Sequence, residues 1–308
     1  MASSLSKDVE DIYRWYRTTV DAMLEQSRRD HVELSIADYR KISFFKLTRQ
    51  PSDVTYAEVD ANGVPCIWAH PTGGARDRVV LFFHGGAYLH GSAAEYRWFC
   101  GHIGKAANCS VLIVDYRLAP EHPFPAQIED ALTAYSWLLN QSIPAKQIAL
   151  CGDSAGGGLA LSLLLALKQR GIELPVASVP LSAWVDLTAT NPSLKAQEGI
   201  DLLVTQEGSA SSSALVLAGA DPKNPLASPV YGDFSGITTQ IYIQMGGAEA
   251  LLGENIAVAE KLRQGGVKVD LEVFPDMQHV FQQGAGYIPE SDAAMRKIGD
   301  FLRPRLKN

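Results

Sequence analysis

The chain has 308 residues, 46% of them hydrophobic and 20% charged, with a formal net charge of -7. That is globular composition, long enough for one large α/β domain plus an insertion, and its acidic balance offers no basic footprint for nucleic acid. The four cysteines, Cys66, Cys100, Cys109 and Cys151, are scattered with no C-x-x-C pair, so they suggest neither a zinc site nor a redox motif.

The stretch from Met1 to Asp8 lacks a charged start followed by an apolar core, so no signal peptide is expected. The longest apolar run, Leu159 to Leu167, is too short to span a bilayer. The expectation is a soluble, cytoplasmic protein. From about Lys7 to Leu47 the pattern is helical: Val9, Ile12, Tyr13, Tyr16, Val20, Met23 and Leu24 recur at spacings that build one apolar face. Three roles stay open for it: a cap helix, an element of a homodimer, or plain packing.

Val54 to Val59 and Val64 to His70 read as antiparallel edge strands, with Ala61-Asn62-Gly63 as the hairpin turn between them. Arg78 to Phe83 is a buried strand, Ala93 to Ala107 a helix, and Ser110 to Asp115 the next strand. The proline-rich stretch Tyr116 to Pro125 cannot be helix, and Ala126 to Leu139 can. A strand over Gln147 to Leu150 then turns at Gly152-Asp153-Ser154-Ala155-Gly156 into an apolar helix over Leu159 to Leu167. Val176 to Ser182 is a strand. Trp184 to about Ser228, rich in Ser, Thr, Gly and Asn with two short helical patterns, breaks the rhythm as an insertion of the kind that forms lids. Strands at Gln240 to Met245 and Val267 to Phe274 alternate with helices at Asn255 to Gln264 and Ser291 to Leu302. Alternation of this kind implies a mostly parallel sheet covered on both faces.

A strand that turns at once into a helix, with Gly152-x-Ser154-x-Gly156 at the corner, is the context of an exposed serine nucleophile. The corner needs small neighbours, and the helix N-terminus favours developing negative charge. A serine hydroxyl also needs a base and an acid to orient that base. Of seven histidines, His279 sits in a loop after the last strand, at the carboxyl end where such sheets build sites. Where this elbow occurs the chain order is serine, acid, histidine. The acid should follow the preceding strand, in Met245 to Glu254, which leaves Glu249 and Glu254. Glu249, in the turn before the helix, is favoured, and Glu254 suits a charge against the helix dipole. Asp276, three residues before His279, is a competitor. Two glycines end the third strand in Phe83-His84-Gly85-Gly86-Ala87-Tyr88, and the N–H groups of Gly85, Gly86 and Ala155 would form an oxyanion hole. His84 would shape that loop. No His, Cys or carboxylate cluster has metal-ligand spacing.

Taken together, His84-Gly85-Gly86-Ala87, Gly152-Asp153-Ser154-Ala155-Gly156-Gly157 and Asp115-Tyr116-Arg117-Leu118-Ala119-Pro120-Glu121-His122-Pro123-Phe124-Pro125-Ala126 resemble the hormone-sensitive-lipase-like family of α/β-hydrolase esterases. The resemblance extends from about Val54 to Leu302. It implies an α/β-hydrolase fold with a mostly parallel eight-stranded sheet, helices on both faces and a helical cap. The cap would comprise residues 1–47 and the insertion at about 184–228, over a catalytic domain at 48–308. It implies cofactor-free hydrolysis of small to medium carboxylic esters or lactones, with Ser154, Glu249 and His279 as the triad. Two roles stay open for Tyr16, Tyr88 and Trp184: lining the acyl or alcohol pocket, or ordinary core packing. The sequence departs from the family twice: Ala87 replaces the third glycine, and Glu249-Ala250-Leu251-Leu252-Gly253 stands where the family reads D-x-L-x-D. The nearest branch resembles small esterases and monoterpene-lactone hydrolases. The same triad would serve an amide or peptide hydrolase, and a non-catalytic ligand-binding hydrolase fold is the rival from another class.

Overall fold

The computed structural model describes residues 47–307 together with Arg14, Thr18, Ala37 and Arg40. Tyr16 and nearly all of the helix expected up to Leu47 lie outside the described residues. Strands β1 (Val54–Asp60), β2 (Pro65–Pro71), β3 (Ala75–Phe83), β4 (Cys109–Val114), β5 (Ile148–Asp153), β6 (Ala177–Leu181), β7 (Gln240–Gly246) and β8 (Val269–Phe274) form one sheet in the order β1-β2-β4-β3-β5-β6-β7-β8. Only β2 runs against its neighbours, antiparallel to both β1 and β4; every pair from β4 to β8 is parallel. The hairpin turn is where Asn62 and Gly63 take positive φ of 61° and 91°, which suits an Asn-Gly corner. The two strands are not both at the edge. β1 is the edge, and β2 lies one strand in because its residues Cys66 to Ala69 pair with β4.

The central strands read as continuous apolar runs because both faces are covered. Alternation still sorts them. Val79, Leu81 and Phe83 of β3, with Leu112, Val114, Ile148, Leu150 and Cys66, join one core. That core lies under α2 (Ala126–Asn140), α3 (Ala155–Arg170) and α6 (Leu252–Gln264). Val80 and Phe82, with Val111, Ile113, Cys100, Cys109 and Cys151, join the other. It lies under α1 (Ala93–Ala107) and α7 (Pro289–Arg305). All four cysteines are free and buried. α1 starts where the Ser92 side chain accepts the N–H of Glu95 and ends on Asn108 in the left-handed region. Between β6 and β7 the chain leaves the sheet and forms two short helices, α4 (Pro192–Ala196) and α5 (Gln206–Leu217). Among the described residues, no helix is long and apolar enough to cross a membrane.

The turn from β5 to α3 decides where the site falls. α3 is buried from Ala155 to Leu167, so it sits deep against the sheet, and its first turn meets the end of β3. The approach is close enough that a Cβ on Gly156 would lie 2.0 Å from the Phe83 carbonyl oxygen. Ser154, at the corner, takes φ 51° and ψ -120°. Non-glycine residues held in such regions cost on the order of 1–3 kcal/mol. The surroundings hold it there: Ser154 N–H donates to Leu181 O at 2.8 Å, and its carbonyl accepts from Trp184 N–H at 2.8 Å and Gly158 N–H at 3.0 Å.

Gly156→Ala drives a methyl group into backbone that cannot rotate away. Overpacking costs about 1–3 kcal/mol, so the variant should melt about 2–5 degrees lower than the parent by circular dichroism; an unchanged melting temperature would show that α3 can retreat from β3.

Candidate active site

Ser154, His279 and Glu249 come from three strand ends and meet in one line. His279 Nε2 lies 3.0 Å from Ser154 Oγ, and its Nδ1 lies 3.0 Å from Glu249 Oε2. Glu249 is fully buried. Its other oxygen accepts the Ser182 hydroxyl at 2.6 Å and the N–H of Gly246. Ser182 Oγ in turn accepts the N–H of Val280 at 3.1 Å, so the residue after His279 is tied to the acid. With both carboxylate oxygens occupied, the imidazole is left one tautomer: Nδ1 carries its proton toward Glu249 and Nε2 faces the serine. Burial pulls the His279 pKa down, but the hydrogen bond and charge of Glu249, aided by Asp201 and Asp153, raise it above the ordinary histidine value.

The competing acids lie elsewhere. Asp276 is exposed on its loop. Glu254 belongs to the first turn of α6 but is buried, and its Oε1 accepts the N–H of Val185 at 2.7 Å. Burial pushes its carboxyl well above the usual range. It is therefore a buried hydrogen-bond acceptor for the loop after β6, not a surface charge facing the helix dipole.

The glycine turn after β3 is folded as expected, with one correction. Gly85 N–H is not free: it donates to Asp153 Oδ1 at 2.9 Å. Among the described residues, the N–H groups of Gly86, Ala87 and Ala155 meet no acceptor. Gly86 has φ 108°, and a Cβ there would lie 2.2 Å from the His90 carbonyl oxygen, so only glycine fits. Ala87 adopts φ 52° without being glycine. His84 is fully buried; its Nδ1 is 2.7 Å from Gly85 O, and its ring stacks on Tyr116 at 4.2 Å. The Tyr116 hydroxyl donates to His84 O at 2.6 Å. His84 thus braces the turn through Nδ1, while its Nε2 is buried without a hydrogen-bond partner.

A cavity of about 160 Å³ opens over Ser154 and His279. Its apolar wall includes Leu47, Leu203, Val204, Val280, Phe281 and Ile288. Tyr88 and Trp184 do not line it. They are 5% and 4% exposed and pack on each other at 6.1 Å between ring centroids, as part of the core beneath α3. Ser182, Asp153 and Asp201 also belong to the site, and no local sequence signal gives them a role there. Asp201 accepts the N–H groups of Leu203 and Val204 on one oxygen and of Ala250 on the other, at 2.8 to 2.9 Å and 2.7 Å. It joins the insertion to the turn that carries Glu249.

Residues 80–283 match the model of a family described as having the alpha/beta hydrolase fold. An acetyl-hydrolase of Streptomyces hygroscopicus is 37% identical over 268 residues, covering 86% of this chain and 87% of its own. An ethyl acetate hydrolase of Pseudomonas putida is 31% identical over 232 residues, covering 74% and 73%. The crystal structure of an esterase from the bacterial hormone-sensitive lipase family superposes with a TM-score of 0.91 at 39% identity, over 99% of this chain and 100% of that one.

Replacing Glu249 by Gln removes the negative charge that helps to raise the His279 pKa and leaves only a neutral amide beside the ring. An NMR titration of the imidazole nitrogens should therefore show a lower His279 pKa in Glu249→Gln, and an unchanged one in Glu254→Gln and Asp276→Asn. A fall in either of the latter with Glu249→Gln unmoved would reassign the acid.

Proposed function

The chain belongs to the bacterial hormone-sensitive-lipase family of α/β-hydrolases and is a carboxylic ester hydrolase; we propose that it acts on short-chain esters through an acyl-enzyme formed on Ser154. The observation that carries this reading is the continuous path Ser154 Oγ, His279, Glu249, with 3.0 Å at each step. Ser154 Oγ attacks the ester carbonyl carbon as His279 Nε2 takes its proton. Glu249 keeps the ring oriented and offsets the imidazolium charge. The carbonyl oxygen becomes an oxyanion held by the N–H groups of Gly86, Ala87 and Ala155, with the start of α3 adding its dipole. When the intermediate collapses, the C–O bond to the alcohol breaks and His279 passes its proton to the leaving oxygen. Water, activated by the same histidine, then adds to the acyl-enzyme and releases the acid. Ala87 takes the place first given to Gly85, because the Gly85 N–H is already engaged.

The cavity size supports a short acyl group: an apolar cavity of about 150 Å³ admits a benzene-sized group. The names of the Streptomyces and Pseudomonas relatives, an acetyl-hydrolase and an ethyl acetate hydrolase, point the same way. We further propose that the insertion at about 184–228 and the segment before residue 48 form a cap. In support, Leu203, Val204 and Leu47 line the cavity. Arg40 also reaches over the turn, donating to Leu89 O at 2.8 Å and Ala119 O at 3.1 Å and pairing with both oxygens of Glu121 at 2.8 Å.

A fluorophosphonate should label Ser154 alone, and Ser154→Ala should abolish both labelling and turnover; labelling at another residue would overturn the nucleophile. Glu249→Gln should lower turnover by up to about 10⁴-fold, the loss seen for the corresponding change in a serine protease triad.

Across p-nitrophenyl esters, kcat/KM should be highest for acetate to butyrate and fall toward octanoate. Leu203→Ala with Val204→Ala should flatten that fall by enlarging the wall. An unchanged chain-length profile would remove the insertion from the pocket.

A further inference from the structure

Asp153 precedes the nucleophile by one residue, is 1% exposed, and takes no part in the bond-making steps above. Three other segments of the site converge on its carboxylate. Oδ1 accepts the N–H of Gly85 at 2.9 Å. Oδ2 accepts the Tyr96 hydroxyl of α1 at 2.9 Å and Gln283 Nε2 at 3.4 Å. The same Nε2 donates to the Tyr96 hydroxyl at 3.0 Å. Gln283 lies in the segment that follows His279, and its carbonyl is held by Thr48 Oγ1 at 2.6 Å. A Cβ on residue 85 would approach Asp153 Oδ2 to 2.4 Å, so this contact is built on the glycine. One carboxylate thus joins the turn after β3, the elbow after β5, the helix beneath them and the loop that delivers the histidine.

We propose that Asp153 is a positioning residue of the reaction. Its carboxylate holds Gly85 so that the next two N–H groups face Ser154, and its charge favours the imidazolium that forms on His279. The proposal rests on Ser154 and His279 being nucleophile and base.

Most titratable groups around Asp153 are held in one state, which leaves Asp153 and His279 as the pair that matters on the acid side. Tyr96 and Cys100 from α1, Tyr116 from the loop after β4 and Cys151 from β5 are all held un-ionised by burial. Burial also keeps His84 and His90 on the glycine turn neutral, His90 down to about 4. Burial pushes Asp153 itself up to about 7, against the opposing pull of Tyr96 and His279. His279 faces Glu249, Asp201 and Asp153, and their charges raise its pKa. Protonating His279 removes the base, and protonating Asp153 loosens its grip on Tyr96 and Gln283. The acid side of the activity profile therefore falls with two protons. An anion at 153 raises the imidazole pKa, so taking that charge away lowers it and carries activity to lower pH.

The test is the pH dependence of kcat/KM on p-nitrophenyl acetate for the parent, Asp153→Asn, Asp153→Ala and Tyr96→Phe, with folding checked by thermal melts. Asp153→Asn keeps an oxygen for Gly85. It should lose about tenfold in kcat with KM nearly unchanged, move the acid midpoint to lower pH, and reduce the two-proton fall to one. Asp153→Ala loses the Gly85 anchor as well, and its kcat should fall about 10²-fold, the low end of what removal of an oxyanion donor costs. Tyr96→Phe removes a donor that stabilises the Asp153 anion, so its acid midpoint should move the other way, to higher pH. A fall in kcat with no movement of the midpoint in either Asn or Phe variant would make Asp153 purely structural and overturn the proposal. So would wild-type kinetics in Asp153→Asn beside an inactive Ser154→Ala, which would leave the nucleophile standing. Full turnover in Ser154→Ala would overturn the nucleophile and this proposal together.

Discussion

The contact that the rest of the site depends on is the approach of the α3 N-terminus to the end of β3. Two backbones meet there with no side chain between them, at Gly156 and Phe83. That approach bends the chain hard enough to hold Ser154 at φ 51°, and it brings the turn carrying Gly86 and Ala87 alongside the serine. Ser154 and the N–H groups proposed as oxyanion donors are therefore set by one packing event. The apolar burial of α3 along its length, from Ala155 to Leu167, supplies the force that keeps the strained corner closed.

The other half of the site is organised by buried carboxylates. Glu249 is saturated by Ser182, Gly246 and His279; Asp153 by Gly85, Tyr96 and Gln283; Asp201 by Leu203, Val204 and Ala250. Removing a charge from water is costly unless hydrogen bonds replace the lost solvation. Here that requirement becomes rigidity, since each carboxylate binds segments that are distant in the chain. Gln278, next to the histidine, adds two bonds to the insertion, at Ile200 O and Leu202 N. The insertion is thereby keyed to the histidine loop and to the acid turn at once.

The fold was legible because buried parallel strands read as apolar runs and the β–α alternation breaks only at the insertion. The elbow was legible because its steric demand falls on residues two positions away, Gly152 and Gly156, which any reader of the chain can see. What stayed hidden was long-range partnership. Nothing local to Gly85 says that its N–H is taken by a residue 68 positions on. Periodicity around Glu254 marks a helix start but cannot tell that this side of the helix meets the loop after β6. Tyr88 and Trp184 are aromatic residues beside the motifs, and composition alone does not separate a cavity wall from the core just beneath it. β2 looked like an edge because hairpins often are; its pairing with β4 is set by a strand more than forty residues later.

The distribution of the thiols has a practical consequence. Cys66 lies in the core on one face of the sheet, and Cys100, Cys109 and Cys151 in the core on the other. Burial pushes the Cys66 and Cys109 thiols up to about 12 and the other two higher still, so in the native state they are doubly shielded from alkylating reagents, by access and by the scarcity of thiolate. Modification must wait for the chain to open. The native protein thus carries two sets of internal reporters, one per layer, and pulse alkylation read by mass spectrometry would reveal whether the two layers come apart together or in sequence, with no probe introduced.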